Sequence, residues 1–174
     1  MTEKIEKTAV LGAGVMGAQL AGHFANAGIP TLLFDISQDL SEQGIENLKK
    51  LKPAPLYKPK NTSLITPCTY ENHIELIKEA DWVLEAVAEK LDIKHKLFES
   101  ISPYLKTNAV LSSNTSGIPL NDLIKGLPES IHSRFMITHF FNPPRYMRLL
   151  ELVRSEHTDD SCYNSISEFG ETVL

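Results

Sequence analysis

The stretch KTAVLGAGVMGAQLAGHFANAGIPTLLFD, residues 7–35, decides the fold. Its first five residues form a short apolar run that stops at Gly12. Residues 15–27 have helical character and stop at Gly28, a residue type that suits the position just past a helix end. Residues 31–34 form a second apolar run, ended by Asp35. Short continuous apolar runs bounded by turns suit strands buried on both faces, which means a parallel sheet. Between the first strand and the helix lies Gly12-Ala13-Gly14-Val15-Met16-Gly17, a G-x-G-x-x-G turn. The motif is weak alone, but here it follows a predicted strand and opens a predicted helix. Gly12 permits the tight turn, Gly14 lets backbone approach a pyrophosphate, and Gly17 lets the helix lie close on the sheet. Val15 and Met16 complete the turn. The helix N-terminus offers free N–H groups and a positive dipole end to the phosphates.

Asp35 lies 18 residues after Gly17, at the end of the second predicted strand. That is the place for a carboxylate accepting hydrogen bonds from an adenosine ribose. A 2′-phosphate there would meet a like charge, so the expected cofactor is NAD rather than NADP.

Outward from this stretch, residues 39–51 read as a helix. Pro53, Pro55 and Pro59 then forbid regular helix, leaving an extended loop over 52–59. Residues 64–66 read as a weak strand, 73–79 as a short helix and 82–88 as a strong strand. A helix over 93–105, tightened near Pro103, precedes a strand over 109–112 and a helix over 119–125. Two more strands, 134–141 and 148–153, lead to an amphipathic helix over 159–174. The alternation predicts a Rossmann-type α/β fold, a doubly wound, mostly parallel sheet in a single domain.

Composition narrows the function classes. The chain has 174 residues, 42% hydrophobic and 22% charged, an ordinary globular mix. Its 17 basic and 22 acidic residues give a net charge of −5. A mildly acidic chain is a poor nucleic-acid binder. No apolar stretch approaches the ~20 residues of a membrane span. The opening Met1-Thr2-Glu3-Lys4 lacks the pattern of a signal sequence. Cys68 and Cys162 have neither metal-ligand spacing nor disulfide-framework density, so no metal site is expected and a cytoplasmic location is.

A second constellation follows the later strands: SSNTS at 112–116 and THFFNPP at 138–144. Groups just beyond the carboxyl ends of strands line the ligand crevice of a doubly wound sheet. His139 there is a natural proton acceptor for oxidising an alcohol. Its other ring nitrogen needs an acceptor, and Glu151, twelve residues on, sits in an apolar strand where a carboxylate is costly unless paired. Ser116 also suits an N-cap for the helix near Pro119. The remaining histidines, at 23, 73, 95, 132 and 157, belong to no constellation.

The residues GAGVMG (12–17), Asp35, DWVLEAVAEKLDIKHKLF (81–98), SSNTSGIPL (112–120) and RFMITHFFNPPRYMRLLELV (134–153) together carry a resemblance. The chain resembles the NAD-binding domain of the L-3-hydroxyacyl-CoA dehydrogenases of fatty-acid β-oxidation. It is most similar to members fused to a C-terminal hydratase/isomerase module. The resemblance implies His139 as catalytic base, Glu151 as its partner, and Ser116 on the substrate oxygen and near the nicotinamide ribose. It implies that Asn114 and Asn142 hold the cofactor or shape the site, and that Glu89 and Lys94 contact the nicotinamide-side ribose. Those last two also suit a solvated pair near a helix start. Family members carry a second, helical domain that supplies dimer contacts and part of the acyl-CoA cleft. Residues 1–174 are therefore expected to be the cofactor domain of a longer homodimeric enzyme, binding NAD but turning over acyl-CoA poorly alone. The other readings are a related hydroxy-acid or carnitine-type dehydrogenase, and a non-catalytic NAD-binding module.

Overall fold

The computed structural model describes residues 4–174. Seven strands, β1 (Thr8–Leu11), β2 (Thr31–Asp35), β3 (Ile65–Thr69), β4 (Trp82–Glu85), β5 (Val110–Ser113), β6 (Phe135–Phe140) and β7 (Leu150–Arg154), form one sheet. Their order is β3-β2-β1-β4-β5-β6-β7. All neighbours are parallel except β6 and β7, which are antiparallel. The helices are α1 (Val15–Asn26), α2 (Gln38–Leu48), α3 (Tyr70–His73), α4 (Leu91–Ile101), α5 (Leu120–Leu123), α6 (Glu129–His132) and α7 (Asp160–Thr172). The chain winds outward from β1 through β2 and β3, then returns to the other side of β1 at β4. That reversal opens a crevice at the carboxyl ends of β1 and β4.

Alternate residues of each strand feed two cores, as a sheet covered on both faces requires. Val10, Leu33, Leu84, Met136 and Phe140 meet Phe24 of α1 and Phe169 of α7 on one face. Ala9, Leu32, Val83, Leu111, Phe135 and Ile137 meet Phe98 of α4 and Leu123 of α5 on the other. Inside the first core Trp82 Nε1–H donates to Ser112 Oγ at 2.8 Å, and Ser112 Oγ lies 2.7 Å from Thr138 Oγ1. These buried polar groups satisfy one another across three strands.

The differences from the sequence reading have local causes. The strand expected over 82–88 ends at Glu85, because the Val87 N–H turns back to Glu85 Oε1 at 2.7 Å and leaves the ladder. Helix α4 ends at Ile101, and Ser102–Tyr104 tightens into a 3-10 turn around Pro103, which lacks an N–H. Helix α6 has four residues, too few to display a period, and was not expected. The proline loop is extended yet pinned: Asn26 Nδ2–H donates to Pro55 O and Arg145 Nη1–H to Leu56 O, both at 2.8 Å. Strand β7 is not interior but lies at the sheet edge, with Glu151, Val153 and Arg154 exposed.

His23, on the buried side of α1, carries a pH signature. It is 8% exposed and its Nδ1 has no hydrogen-bond partner among the described residues. Burial pushes its pKa down from 6.5 to about 4. The unfolded chain therefore binds more protons than the folded one between these values, so stability falls as pH drops through that window. The loss is at most about 3 kcal/mol at 1.36 kcal/mol per unit. Urea denaturation at pH 7 and pH 4.5 should show the drop in the natural protein and a smaller one in His23→Phe. Equal drops in both would place the acid sensitivity elsewhere.

Candidate active site

The β1–α1 turn is shaped for an anion. Gly12 has φ +106°, and a Cβ there would lie 2.7 Å from Ala86 O. A Cβ on Gly17 would lie 1.8 Å from Gly12 O, so helix and turn touch only because Gly17 has none. Gly14 differs: a Cβ on it would meet no protein atom within 4 Å. The space above Gly14 is open, with room for a bound group to approach the backbone. Helix α1 has no side-chain cap and no acidic residue in its first turn. Its first N–H groups and positive dipole end lie at that space without a side-chain cap.

Asp35, ending β2, is locked at the same mouth. Its Oδ2 accepts from the Ala13 N–H and its Oδ1 from the Ile36 N–H, each at 2.7 Å. A carboxylate so fixed keeps lone pairs for ribose hydroxyls. The turn, the bare helix terminus and the anchored acid together fit a dinucleotide.

Strands β5 and β6 bring the second constellation to the same end of the sheet. His139 and Glu151 are directly opposed in the antiparallel β6–β7 register. His139 Nδ1 lies 2.9 Å from Glu151 Oε2, with the His139 side chain 19% exposed and Glu151 54% exposed. A carboxylate acceptor favours the proton on Nδ1 and leaves Nε2 as the acceptor nitrogen. Strand register, rather than burial of the carboxylate, makes this pair: the premise that Glu151 is enclosed in an apolar strand fails, because β7 is an edge.

The other site residues fall into two sets. Asn114 and Asn142 act as ties within the protein. Asn114 Oδ1 accepts from the Phe140 N–H at 2.9 Å, joining the end of β5 to the residue after His139. Asn142 Oδ1 accepts from Gln19 Nε2–H at 3.1 Å, joining the loop after β6 to α1. Ser116 is exposed in the turn after β5. The cap of that turn is Thr115, not Ser116: Thr115 Oγ1 accepts from the Ile118 N–H at 3.0 Å.

Glu89 and Lys94 belong to a network that includes a residue the sequence reading missed. Lys94 is 1% exposed, and its Nζ lies 2.7 and 2.8 Å from the two oxygens of Glu85, which is 0% exposed. It also reaches Glu89 Oε2 at 3.2 Å. Ser113 Oγ–H donates to Glu85 Oε2 at 2.5 Å. Glu89 accepts from Thr115 Oγ1–H and, at 3.4 Å, from the Gly117 N–H. Burial raises the Glu89 carboxyl, but the Thr115 hydrogen bond and the Lys94 charge outweigh it and hold its pKa below the usual value. Thus Lys94 lies beneath the site and is not a solvated surface residue. A charged pair buried as deeply as Glu85–Lys94 leaves no signal in hydropathy, because each residue alone reads as surface. A carboxylate in the middle of the apolar run 82–88 was the usable clue to Glu85.

Two cavities lie apart from these groups. One of about 860 Å³ sits around His95, Lys125 and Arg134, and one of about 600 Å³ around Tyr57, Met147 and Gly170. Neither is lined by Gly14, Asp35 or His139. No group of three or more His, Cys, Asp or Glu side chains among the described residues could hold a metal ion.

Residues 7–173 match the family described as the 3-hydroxyacyl-CoA dehydrogenase NAD-binding domain. The chain belongs to that family. The family match supplies the cofactor, NAD. A probable 3-hydroxyacyl-CoA dehydrogenase of Deinococcus radiodurans is 44% identical over 98% of the chain and 51% of its own length. A putative fatty acid oxidation complex trifunctional enzyme of Rickettsia felis is 48% identical over 100% of the chain and 26% of its own length. The chain thus spans between a quarter and a half of these relatives. Among solved structures, the 3-hydroxyacyl-CoA dehydrogenase of Archaeoglobus fulgidus superposes with a TM-score of 0.81 at 30% identity, over 97% of this chain and 54% of that one. The (S)-3-hydroxybutyryl-CoA dehydrogenase of Ralstonia eutropha gives 0.84 at 27% identity, over 98% and 61%.

Proposed function

We propose that this chain is the cofactor-binding, base-carrying domain of an enzyme that oxidises the 3-hydroxyl of L-3-hydroxyacyl-CoA thioesters in fatty-acid β-oxidation. The observation that carries the reading is the His139–Glu151 pair at the mouth of a dinucleotide crevice. NAD⁺, when bound, supplies the hydride acceptor. His139 Nε2 takes the hydroxyl proton. Glu151 holds the ring by Nδ1 and stabilises the imidazolium that results. Ser116, exposed in the neighbouring turn, hydrogen-bonds the substrate oxygen. Asn114 and Asn142 hold the strand ends in place around it. The turn of Gly12, Gly14, Val15, Met16 and Gly17 binds the pyrophosphate, and Glu89, steadied by Lys94, faces the nicotinamide-side ribose.

Residues 1–174 form one domain of this enzyme, with a second, helical domain closing the acyl-CoA cleft and forming a homodimer. The cytoplasm is the proposed location. In support, no helix among the described residues is long and apolar enough to cross a membrane, and Cys68 and Cys162 are buried thiols not joined in a disulfide. The test follows NADH absorbance in the natural-length protein. CoA thioesters of 3-hydroxy acids should be oxidised and the free acids should not. Turnover of the free acids alone would move the protein to the hydroxy-acid or carnitine-type dehydrogenases.

The anchored Asp35 carboxylate predicts a preference for NAD⁺ over NADP⁺ of tenfold or more. A charge-assisted hydrogen bond contributes about 1.5–3 kcal/mol, and tenfold needs about 1.4. Calorimetric titration should show the preference shrinking in Asp35→Ser. Equal affinities in the natural protein would remove Asp35 from the ribose site.

A further inference from the structure

Of the groups at the crevice, the buried Glu85 has no role in the reading so far. It ends β4, opposite Leu11 of β1 on one side and Ser113 of β5 on the other. Asp35 on β2 places the adenosine half of a dinucleotide on that side of the β1 turn. The other half therefore runs over the ends of β4 and β5, beside Glu85, Glu89 and Lys94. These three side chains hold two carboxylates and one ammonium, joined at 2.7–3.2 Å. One negative charge is left over. The remaining partners of the two carboxylates, Ser113, Val87 N–H, Thr115 and Gly117 N–H, are neutral donors that hold the charge without cancelling it. Glu85 and Lys94 are enclosed while Glu89 is half-exposed, so salt screens this charge in part. Lys90 and Asp92, the charged residues that lie between Glu89 and Lys94 in sequence, are exposed and of opposite sign.

We propose that the Glu85–Lys94–Glu89 cluster sets the redox-state preference of the cofactor site, its uncompensated negative charge holding the cationic ring of NAD⁺ more tightly than the neutral ring of NADH. The proposal rests on the dinucleotide reading of the crevice. It makes Glu85 a specificity-determining residue that acts through charge and through the placement of Lys94 and Glu89, without touching the cofactor. Loss of a direct contact weakens both cofactor forms alike, whereas loss of the charge weakens only the oxidised one.

The ratio of the two dissociation constants separates these cases. Calorimetry with NAD⁺ and with NADH is run on the natural protein, Glu85→Gln, Glu89→Gln and Ser113→Ala. A unit charge at this range should change the NAD⁺/NADH affinity ratio by roughly 3- to 20-fold. Both carboxylate-to-amide variants should shift it against NAD⁺. Ser113→Ala removes a hydrogen bond but no charge and should leave the ratio within about twofold of the natural value. Glu89 is half-exposed, so Glu89→Gln decides the matter if Glu85→Gln does not fold. An unchanged ratio in Glu89→Gln, or an equal shift in Ser113→Ala, overturns the proposal while leaving the dinucleotide reading intact. Failure of the natural protein to bind either form overturns the dinucleotide reading, and this proposal with it.

Discussion

Replacing His139 with alanine is expected to lower kcat by about 10²–10⁴-fold, the usual contribution of a positioned general base. The affinity for NAD⁺ should change little, because the turn at Gly12–Gly17 and Asp35 lie on other strands and do not depend on the imidazole. The His139–Glu151 contact spans directly opposed residues of β6 and β7. Its loss leaves Glu151 on an exposed edge, where a lone carboxylate is tolerated. The loss should therefore fall on chemistry and spare the fold. Glu151→Gln keeps a group that can accept from Nδ1–H but loses the charge that stabilises the imidazolium, so its rate should fall between the two. Steady-state kinetics in the natural-length protein, with NAD⁺ titrated in parallel, measures both effects. A His139→Ala protein with near-natural kcat would mean that another group takes the proton.

Lys94→Met should produce the largest loss of stability, about 3–5 kcal/mol. The substitution nearly preserves volume and leaves Glu85, 0% exposed, with a buried charge and no cation. Among the described residues, Ser113 and the Val87 N–H remain as its neutral donors. Removing the carboxylate as well, in Glu85→Met/Lys94→Met, should recover part of the loss, since an apolar pair often replaces a buried ion pair at little net cost. Chemical denaturation of the natural protein, the single variant and the double variant measures this. A single-variant loss under about 1 kcal/mol would show that water reaches the pair.

The sequence carried the framework because the deciding signals are local. An apolar run ended by a glycine turn, a helix with small residues on one side and a second run ended by Asp35 need no tertiary information. The positions of β1, α1 and β2 follow from those signals to within a residue or two. The sequence also placed His139 and Glu151 within two successive predicted strands, 134–141 and 148–153, with burial of the carboxylate as the reason for pairing them. The structure shows antiparallel register at a sheet edge instead. What stayed hidden depends on contacts between elements distant in the chain. Glu85, Lys94 and Ser113 meet across β4, α4 and β5. Gln19 reaches Asn142 from a helix 123 residues away. Thr115, one residue from Ser116, does the capping that the sequence pattern offered to Ser116. The short helix α6 lacked the length to show a period, and β4 stopped early because the Glu85 side chain captured the Val87 N–H.

The central claim is that this domain brings NAD⁺ and His139 together on the 3-hydroxyl of an acyl-CoA. It is tested most directly by following the hydrogen itself. A 3-hydroxyacyl-CoA carrying deuterium at C3 is incubated with NAD⁺ and the natural-length protein, and the reduced cofactor is analysed by mass spectrometry. The account predicts NADH one mass unit heavier, formed in step with the 3-ketoacyl-CoA, and formed far more slowly by His139→Ala. Reduced cofactor without the label, or no reduced cofactor at all while NAD⁺ binds, would contradict it.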